Sequence, residues 1–321
     1  MSKTLFDIVS DFPYYEEAPA RFTDTLKSYH AFKVQGIDAI LGYIPNTLVQ
    51  SIPWPKEHWM IDCGAIVLLN PPDNAVSTHT QIIQNAINRM IEAGYTDILK
   101  GWRNERFPIY GPSGDVILEI ERSASSLFGI VTSGVQMLCY VKDAKNGIRL
   151  WIAKRSMRKQ TYPGMLDCTA AGALSAGESP RSAMMLEATD EASIAREIIE
   201  SGMRYVGAIS YFHMKVSSIA LSEGSSTAVL LPEVEYLYEL QLDEGTVPRP
   251  KDSEVEDFRL WNVDQVLDAL GRGTFKPNSA VVVIDFLTRH GVITPETEPM
   301  CKDIIRRLHR RLPFPTADWS T

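Results

Sequence analysis

Cysteine is scarce and scattered. The chain carries Cys63, Cys139, Cys168 and Cys301, with no Cys-x-x-Cys pair among them. That spacing excludes a disulfide framework and a zinc ribbon, and it predicts reduced thiols in an intracellular protein. No apolar run approaches the ~18 residues of a membrane-spanning helix. Residues 1–17 turn acidic without a continuous apolar stretch and do not read as a secretory leader, so a cytoplasmic location is the expectation. Positive charge is also short: 32 Lys and Arg against 40 Asp and Glu leave a net charge of −8. Such a balance argues against bulk nucleic-acid binding, so an anionic ligand would need a local basic cluster. The six histidines form no HExxH motif, and neither a GxSxG elbow nor a Walker A loop occurs. Metalloprotease, serine hydrolase and P-loop chemistry therefore have no footing.

What remains is an ordinary globular composition, 45% hydrophobic and 22% charged over 321 residues, enough for one large domain or two. In the first part, Thr4 to Val9 reads as a short helix broken at Phe12-Pro13-Tyr14-Tyr15. Ala31 to Val34, Ile37 to Tyr43 and Trp59 to Leu69 read as strands, and Pro45 to Ile52 as helix. Ser77 to Ala93 is a clearer helix, with Ile82, Ile83, Ala86, Ile87, Met90 and Ile91 at helical spacing. Further on, Asp115 to Glu121, Gly129 to Val141 and Leu150 to Ala153 read as strands, the last two joined around Asn146-Gly147. Met203 to Val216, Thr227 to Leu231 and Val234 to Leu242 read as three more. His213, within the first of these, reads as a packed strand residue. The stretch from Asp243 to Asp257 reads as a loop, then Trp261 to Leu270 and Ser279 to His290 as helices. A basic segment with Lys302, Arg306, Arg307, His309, Arg310 and Arg311 reads as a solvated terminal helix, against the alternative of a nucleic-acid or membrane patch.

The most informative stretch is Leu166 to Ile194. Ser179 and Pro180 make a helix start, an oxygen-bearing N-cap followed by proline at the first helical position. Glu187, Asp190 and Glu191 then stand three and four residues apart, on one helical face. Oxygen ligands grouped this way suit a hard divalent cation such as Mg²⁺.

Gly172, Glu178, Glu187, Asp190 and Glu191 keep the spacing of the Nudix box, and the chain resembles the Nudix hydrolases. Leu186 stands in place of the box arginine, Asp190 in place of a glutamate and Ser193 in place of a glycine. Trp102-Arg103-Asn104-Glu105, Tyr162-Pro163-Gly164-Met165-Leu166-Asp167, Glu254 to Phe258 and Phe275-Lys276-Pro277-Asn278 resemble a subgroup with an added N-terminal domain. That subgroup is related to the Nudix part of thiamine pyrophosphokinase fusions.

The resemblance implies a Nudix α/β/α sandwich with a mixed sheet, preceded by a smaller α/β domain. The expected bounds are residues 1–124 for the N-terminal domain, 125–295 for the Nudix domain and 296–321 for a helical tail. It implies hydrolysis of an organic diphosphate, with thiamine diphosphate analogues as the subgroup's substrates. Mg²⁺, or Mn²⁺ in its place, would be held by Glu187, Asp190, Glu191 and the carbonyl of Ala171. Glu187 and Glu191 would be catalytic, with Glu256 or Glu254 as a base and Glu178 supporting the loop. Lys154, Arg155 and Lys159 would hold phosphate, against the alternative of an exposed basic loop. Trp102 and Arg103 would meet the organic group, against the alternative of a packing corner. The implied partner is a small organic diphosphate, with neither nucleic acid nor membrane, and a homodimer is left open. Two other readings stand beside this one: hydrolysis of a different diphosphate such as a prenyl one, and a non-hydrolytic Nudix-fold binding protein.

Overall fold

The computed structural model describes residues 2–12, 19–95, 97–143, 145, 147–217, 227–251, 253–317 and 319. The break at Pro13, Tyr14 and Tyr15, Asn146 of the expected turn and the side chain of His213 lie outside the described residues.

In chain order the first part holds α1 (Leu5–Ser10), α2 (Pro19–Leu26), β1 (Tyr29–Val34), β2 (Gly42–Pro45) and α3 (Asn46–Ser51). It continues with β3 (Trp59–Asp62), β4 (Ala65–Leu68), α4 (Val76–Glu92), α5 (Asp97–Lys100), β5 (Arg106–Tyr110), β6 (Val116–Glu121) and α6 (Ser125–Phe128). The stretch expected as one strand from Trp59 to Leu69 is a hairpin, turned at Gly64 with its positive φ of 81°. Between Ile37 and Tyr43 only the last two residues are strand. The sheet order is β2-β1-β4-β3, and β5 pairs β6 separately. The apolar stripe of α4 (Ile82, Ile83, Ala86, Ile87, Met90) closes a core with Phe32, Ile44, Ile66 and Leu118.

The second part holds β7 (Thr132–Asp143), β8 (Gly147–Arg155), β9 (Leu166–Asp167), β10 (Ala170–Ala173), α7 (Pro180–Ala192) and α8 (Arg196–Gly202). It ends with β11 (Arg204–Ser217), β12 (Thr227–Gln241), β13 (Val255–Asn262), α9 (Val263–Gly271), α10 (Pro277–Arg289) and α11 (Cys301–Leu308). The sheet runs β11-β12-β7-β8-β13, with β10 on β7 and β9 on β8. It is mixed: β12 lies parallel to β7 and the other pairs are antiparallel.

Strand periodicity decides which helix meets which face. Along β7, Val135, Met137, Cys139 and Val141 pack with Ala183, Met184, Ala188 and Ala192 of α7. The intervening Leu138 and Tyr140 pack with α10 residues such as Val283 and Phe286. Helices on both faces of a mixed sheet give the α/β/α sandwich that the resemblance implied.

Three expectations change. Thr227 to Leu242 is not two strands: β12 passes through Pro232, where pairing exists on the β11 side and pairing with β7 begins only at Glu233. Val255 to Asn262 is an edge strand where a loop and helix start were expected. The basic terminal helix is not simply solvated. α11 buries Cys301, Ile304 and Leu308 beside Ile8 and Val9 of α1, so the first and last helices seal the same layer. Arg310, just past it, is also buried and reaches the Arg307 carbonyl.

Candidate active site

α7 begins as its sequence demands. The Ser179 hydroxyl accepts from the Ser182 amide at 3.2 Å, and Pro180 occupies the first turn. Before it, the loop is folded on itself by the Ser175 amide, which donates to Glu178 at 3.3 Å. The N-terminal domain holds this loop from outside. Ser175 Oγ donates to Glu105 at 2.8 Å, and the Ala176 amide donates to the Arg106 carbonyl at 2.8 Å. The Trp102–Arg106 segment therefore adjoins the box directly.

Two of the box carboxylates meet the strand edge. The Ala171 amide donates to Glu191 Oε2 at 2.9 Å. The Leu174 amide bonds the Ser133 carbonyl, which fixes the ladder's alternation. Ala171 is then a non-bonded pair with Gln136, its carbonyl facing away from β7 like its amide. Gly172, the next residue, lies against Glu187, and a Cβ there would overlap the carboxylate of Glu187. The glycine's role is close approach, because a side chain would displace the carboxylate it faces. Gly172→Ala is expected to leave the melting temperature nearly unchanged while lowering any Glu187-dependent turnover by about 10²-fold, the usual cost of a ~1 Å misplacement. Unaltered steady-state rates in that variant would contradict the contact's importance.

Burial pushes the Glu191 carboxyl up to about 8. The Ala171 amide opposes this, the charges of Glu187 and Asp167 add to it, and Lys159 works against it. Two carboxylates and a carbonyl at a desolvated edge with excess negative charge fit a hard divalent cation. Asp190 differs from expectation. It pairs with Lys251 at 2.6 Å on the exposed side of α7, and no three His, Cys, Asp or Glu side chains converge among the described residues. Leu186 is 55% exposed, so the box arginine has been replaced by a side chain that touches little. Ser193 ends α7 in the left-handed region, φ 54° and ψ 30°, where the family pattern has glycine. Ser193→Gly should therefore stabilise the fold by about 1 kcal/mol, read as an increased denaturation midpoint at unchanged slope; a decrease would contradict it.

The basic residues divide. Arg155 is buried, and each of its three nitrogens is engaged: it donates to Asp167 at 2.6 Å, to the Thr161 carbonyl at 2.9 Å and to the Tyr162 carbonyl at 3.2 Å. It braces the loop instead of facing a ligand. Lys154 pairs with Glu256 at 2.7 Å, and Glu256 is exposed. Lys159 pairs with Glu254, and its charge also reaches Glu191. Burial raises the Glu254 carboxyl, but the Lys159 hydrogen bond and the charges of Lys159, Arg103 and Arg155 outweigh it and hold it below the usual range. Of the two candidate bases, Glu254 is the one gathered with Lys159 and Arg103; Glu256 stands apart from them. Trp102 donates to Asn104 at 2.8 Å and packs on the first core, a corner residue, whereas Arg103 is exposed. Sequence reasoning placed Asp167 in a subgroup motif but gave it no role. It follows the strand residue Leu166, and only its pairing with Arg155 reveals its role.

Two domain families match the chain. A domain of unknown function, DUF4743, covers residues 15–132, and a NUDIX domain covers residues 132–282. The chain is similar to an uncharacterized protein of Saccharomyces cerevisiae, 37% identical over 68% of this chain and 64% of that one. It is also similar to Nudix hydrolase 20, chloroplastic, of Arabidopsis thaliana, 34% identical over 91% of this chain and 69% of that one. Nudix hydrolase 24, chloroplastic, of the same plant is 34% identical over 76% and 63%. The alignment thus spans just under two thirds of the yeast relative's length. The box spacing, the helix-on-both-faces sheet and these matches agree, and the chain belongs to the Nudix family.

Proposed function

We propose that this protein is a divalent-cation-dependent hydrolase that converts an organic diphosphate to the monophosphate and inorganic phosphate, with thiamine diphosphate analogues as the first candidates. The observation that carries this reading is the meeting of Glu187 and Glu191 at Ala171–Gly172 with negative charge in excess. Glu187, Glu191 and the Ala171 carbonyl would hold the ion. A bound Mg²⁺, or Mn²⁺ in its place, would neutralise phosphate charge and lower the pKa of its water.

The chain's own residues do the rest. The Ala171 amide orients Glu191, and Gly172 leaves room for Glu187. Lys159, from the loop after β8, and Arg103, from the N-terminal domain, both bring positive charge to Glu254. Lys159 is tied to Glu254 through one of its three N–H donors, which leaves others for a phosphate oxygen. As phosphate draws Lys159 away, Glu254 is the carboxylate beside it that would accept a proton from water. Water adds its oxygen to phosphorus, the bridging P–O bond breaks, and the proton ends on phosphate or Glu254.

A second reading, a Nudix-fold binding protein without efficient hydrolysis, draws on Leu186, which cannot donate a hydrogen bond, and on Asp190, already engaged by Lys251. Phosphate release separates the two. Thiamine diphosphate, its 4-oxo analogue and geranyl diphosphate are incubated with the full chain, with Mg²⁺ and with chelator. The hydrolase reading expects Mg²⁺-dependent release from at least one; no release from any diphosphate would leave the binder.

A further inference from the structure

The loop that joins the two halves of the candidate cation site is held by a carboxylate from the other domain. β10 ends at Ala173 and α7 begins at Pro180, so Gly172 and Glu187 meet across residues 174–179. That meeting leaves no slack, since a Cβ on Gly172 would overlap the Glu187 carboxylate. The Nudix domain fixes both ends of the loop. The Leu174 amide donates to the Ser133 carbonyl at 2.8 Å, and Glu178 accepts from the Ser175 amide at 3.3 Å. The middle is fixed from the N-terminal domain, by the Arg106 carbonyl on the Ala176 amide and by the Glu105 carboxylate on the Ser175 hydroxyl. The next residue, Gly177, is exposed with a φ of 83°.

Glu105 is oriented within its own domain. Its Oε2 accepts from Arg122 Nη1 at 2.7 Å, while its Oε1 accepts from Ser175 Oγ at 2.8 Å. The Arg122 amide donates to the Glu105 carbonyl at 2.8 Å, and the guanidinium lies 5.7 Å from the centre of the buried Phe107 ring. Glu105 stands just before β5 and Arg122 just after β6, so the paired strands β5 and β6 carry both partners. One carboxylate oxygen is thereby anchored and the other is turned to the loop. Cohesion between the domains comes from elsewhere. Tyr29 and Tyr43 of the N-terminal sheet, Phe212 and Leu230 of the Nudix sheet and Phe314 near the C-terminus form a buried cluster of their own. A single hydrogen bond at the loop adds little to that cohesion. What it determines is where the loop stands.

We propose that Glu105 is a positioning residue for the cation site. Through Ser175 it sets the loop that places Gly172 against Glu187, so the N-terminal domain takes part in metal binding without touching the ion. The proposal rests on the Glu187–Glu191 site of the proposed function, but not on hydrolysis. Outer groups that orient metal ligands typically cost 10–100-fold in affinity when removed. Glu105 acts from further out, through Ser175 and the loop, so the low end of that range is expected.

The test is the Mn²⁺ affinity of the full chain, read from the free-ion paramagnetic resonance signal, beside the melting temperature without metal. Glu105→Ala and Ser175→Ala should each weaken Mn²⁺ binding by roughly 10-fold. The double variant should bind no more weakly than either, because both substitutions remove the same contact. Glu105→Gln keeps an acceptor in the same place and should bind Mn²⁺ nearly as wild type does. Ser175→Ala removes a single oxygen, and it carries the test should Glu105→Ala not fold. A merely structural contact would lower the melting temperature and leave Mn²⁺ affinity unchanged. That outcome, additive losses in the double variant, or a wild type that binds no Mn²⁺ would overturn the proposal. The expected Mn²⁺ pattern, with no phosphate release by wild type from any diphosphate, upholds the role of Glu105 and removes the hydrolase reading.

Discussion

Glu187→Gln is expected to lower Mg²⁺-dependent turnover by about 10³-fold with little change in stability. The substitution keeps the side chain's size and removes its charge. Glu187 is half-buried on α7 and faces Gly172 rather than a packed apolar neighbour, so the fold has little to lose. What the variant loses is one of two carboxylates able to hold a divalent ion at the strand edge. Lewis-acid stabilisation of a phosphoryl transition state is worth several kcal/mol, and about 4 kcal/mol corresponds to ~10³ in rate. The loss should fall mainly on kcat at saturating Mg²⁺. Turnover within a factor of about 3 of wild type, in the same assay, would remove Glu187 from the site.

Arg155→Met should have the largest effect on stability, about 3–5 kcal/mol, the usual cost of breaking a buried ion pair from one side. Methionine keeps much of the side chain's volume but leaves Asp167 with one cation fewer. It also strips donors from the Thr161 and Tyr162 carbonyls, which would release the loop carrying Lys159. Burial alone would raise the Asp167 carboxyl. The charges of Lys276 and Arg155 and the hydrogen bonds from Ser279 and Arg155 overcome it and hold it below the usual range. A depressed carboxyl contributes stability above its unfolded pKa of ~3.9 and loses it as pH falls through the folded value. The gap between wild type and Arg155→Met, measured by denaturant midpoints, should thus be widest near neutrality and narrow on the acid side. A gap that widens as the pH falls would show that the ion pair is not its source. A stable variant with only a raised KM would instead restore Arg155 as a phosphate ligand.

How much of this was legible depended on the reach of the signal. The α7 start was readable because Ser179 and Pro180 act within one turn, and β7 because its apolar residues serve two covered faces. β13 was missed since an edge strand half-exposed along most of its length carries weak alternation, and Val255 to Asn262 mixes charge with aromatics. β12 looked like two strands because Pro232 usually ends one, and its one-sided pairing appears only in the assembled sheet. Arg155 looked like a phosphate ligand because sequence shows a basic cluster but not which member finds a buried carboxylate 12 residues away. Asp190 shares the helix face of Glu187 by spacing alone; Lys251, distant in sequence, draws it to the exposed side.

We propose that Glu187 and Glu191, placed by Ala171 and Gly172, form a divalent-cation site. Mn²⁺ titration of the full chain, followed by the loss of the free-ion paramagnetic resonance signal, tests it without reference to any substrate. Wild type should take up Mn²⁺, Mg²⁺ should displace it, and the Glu187→Gln, Glu191→Gln double variant, folded by circular dichroism, should not bind it. Equal Mn²⁺ uptake by wild type and that variant would place the ion elsewhere than at Glu187 and Glu191.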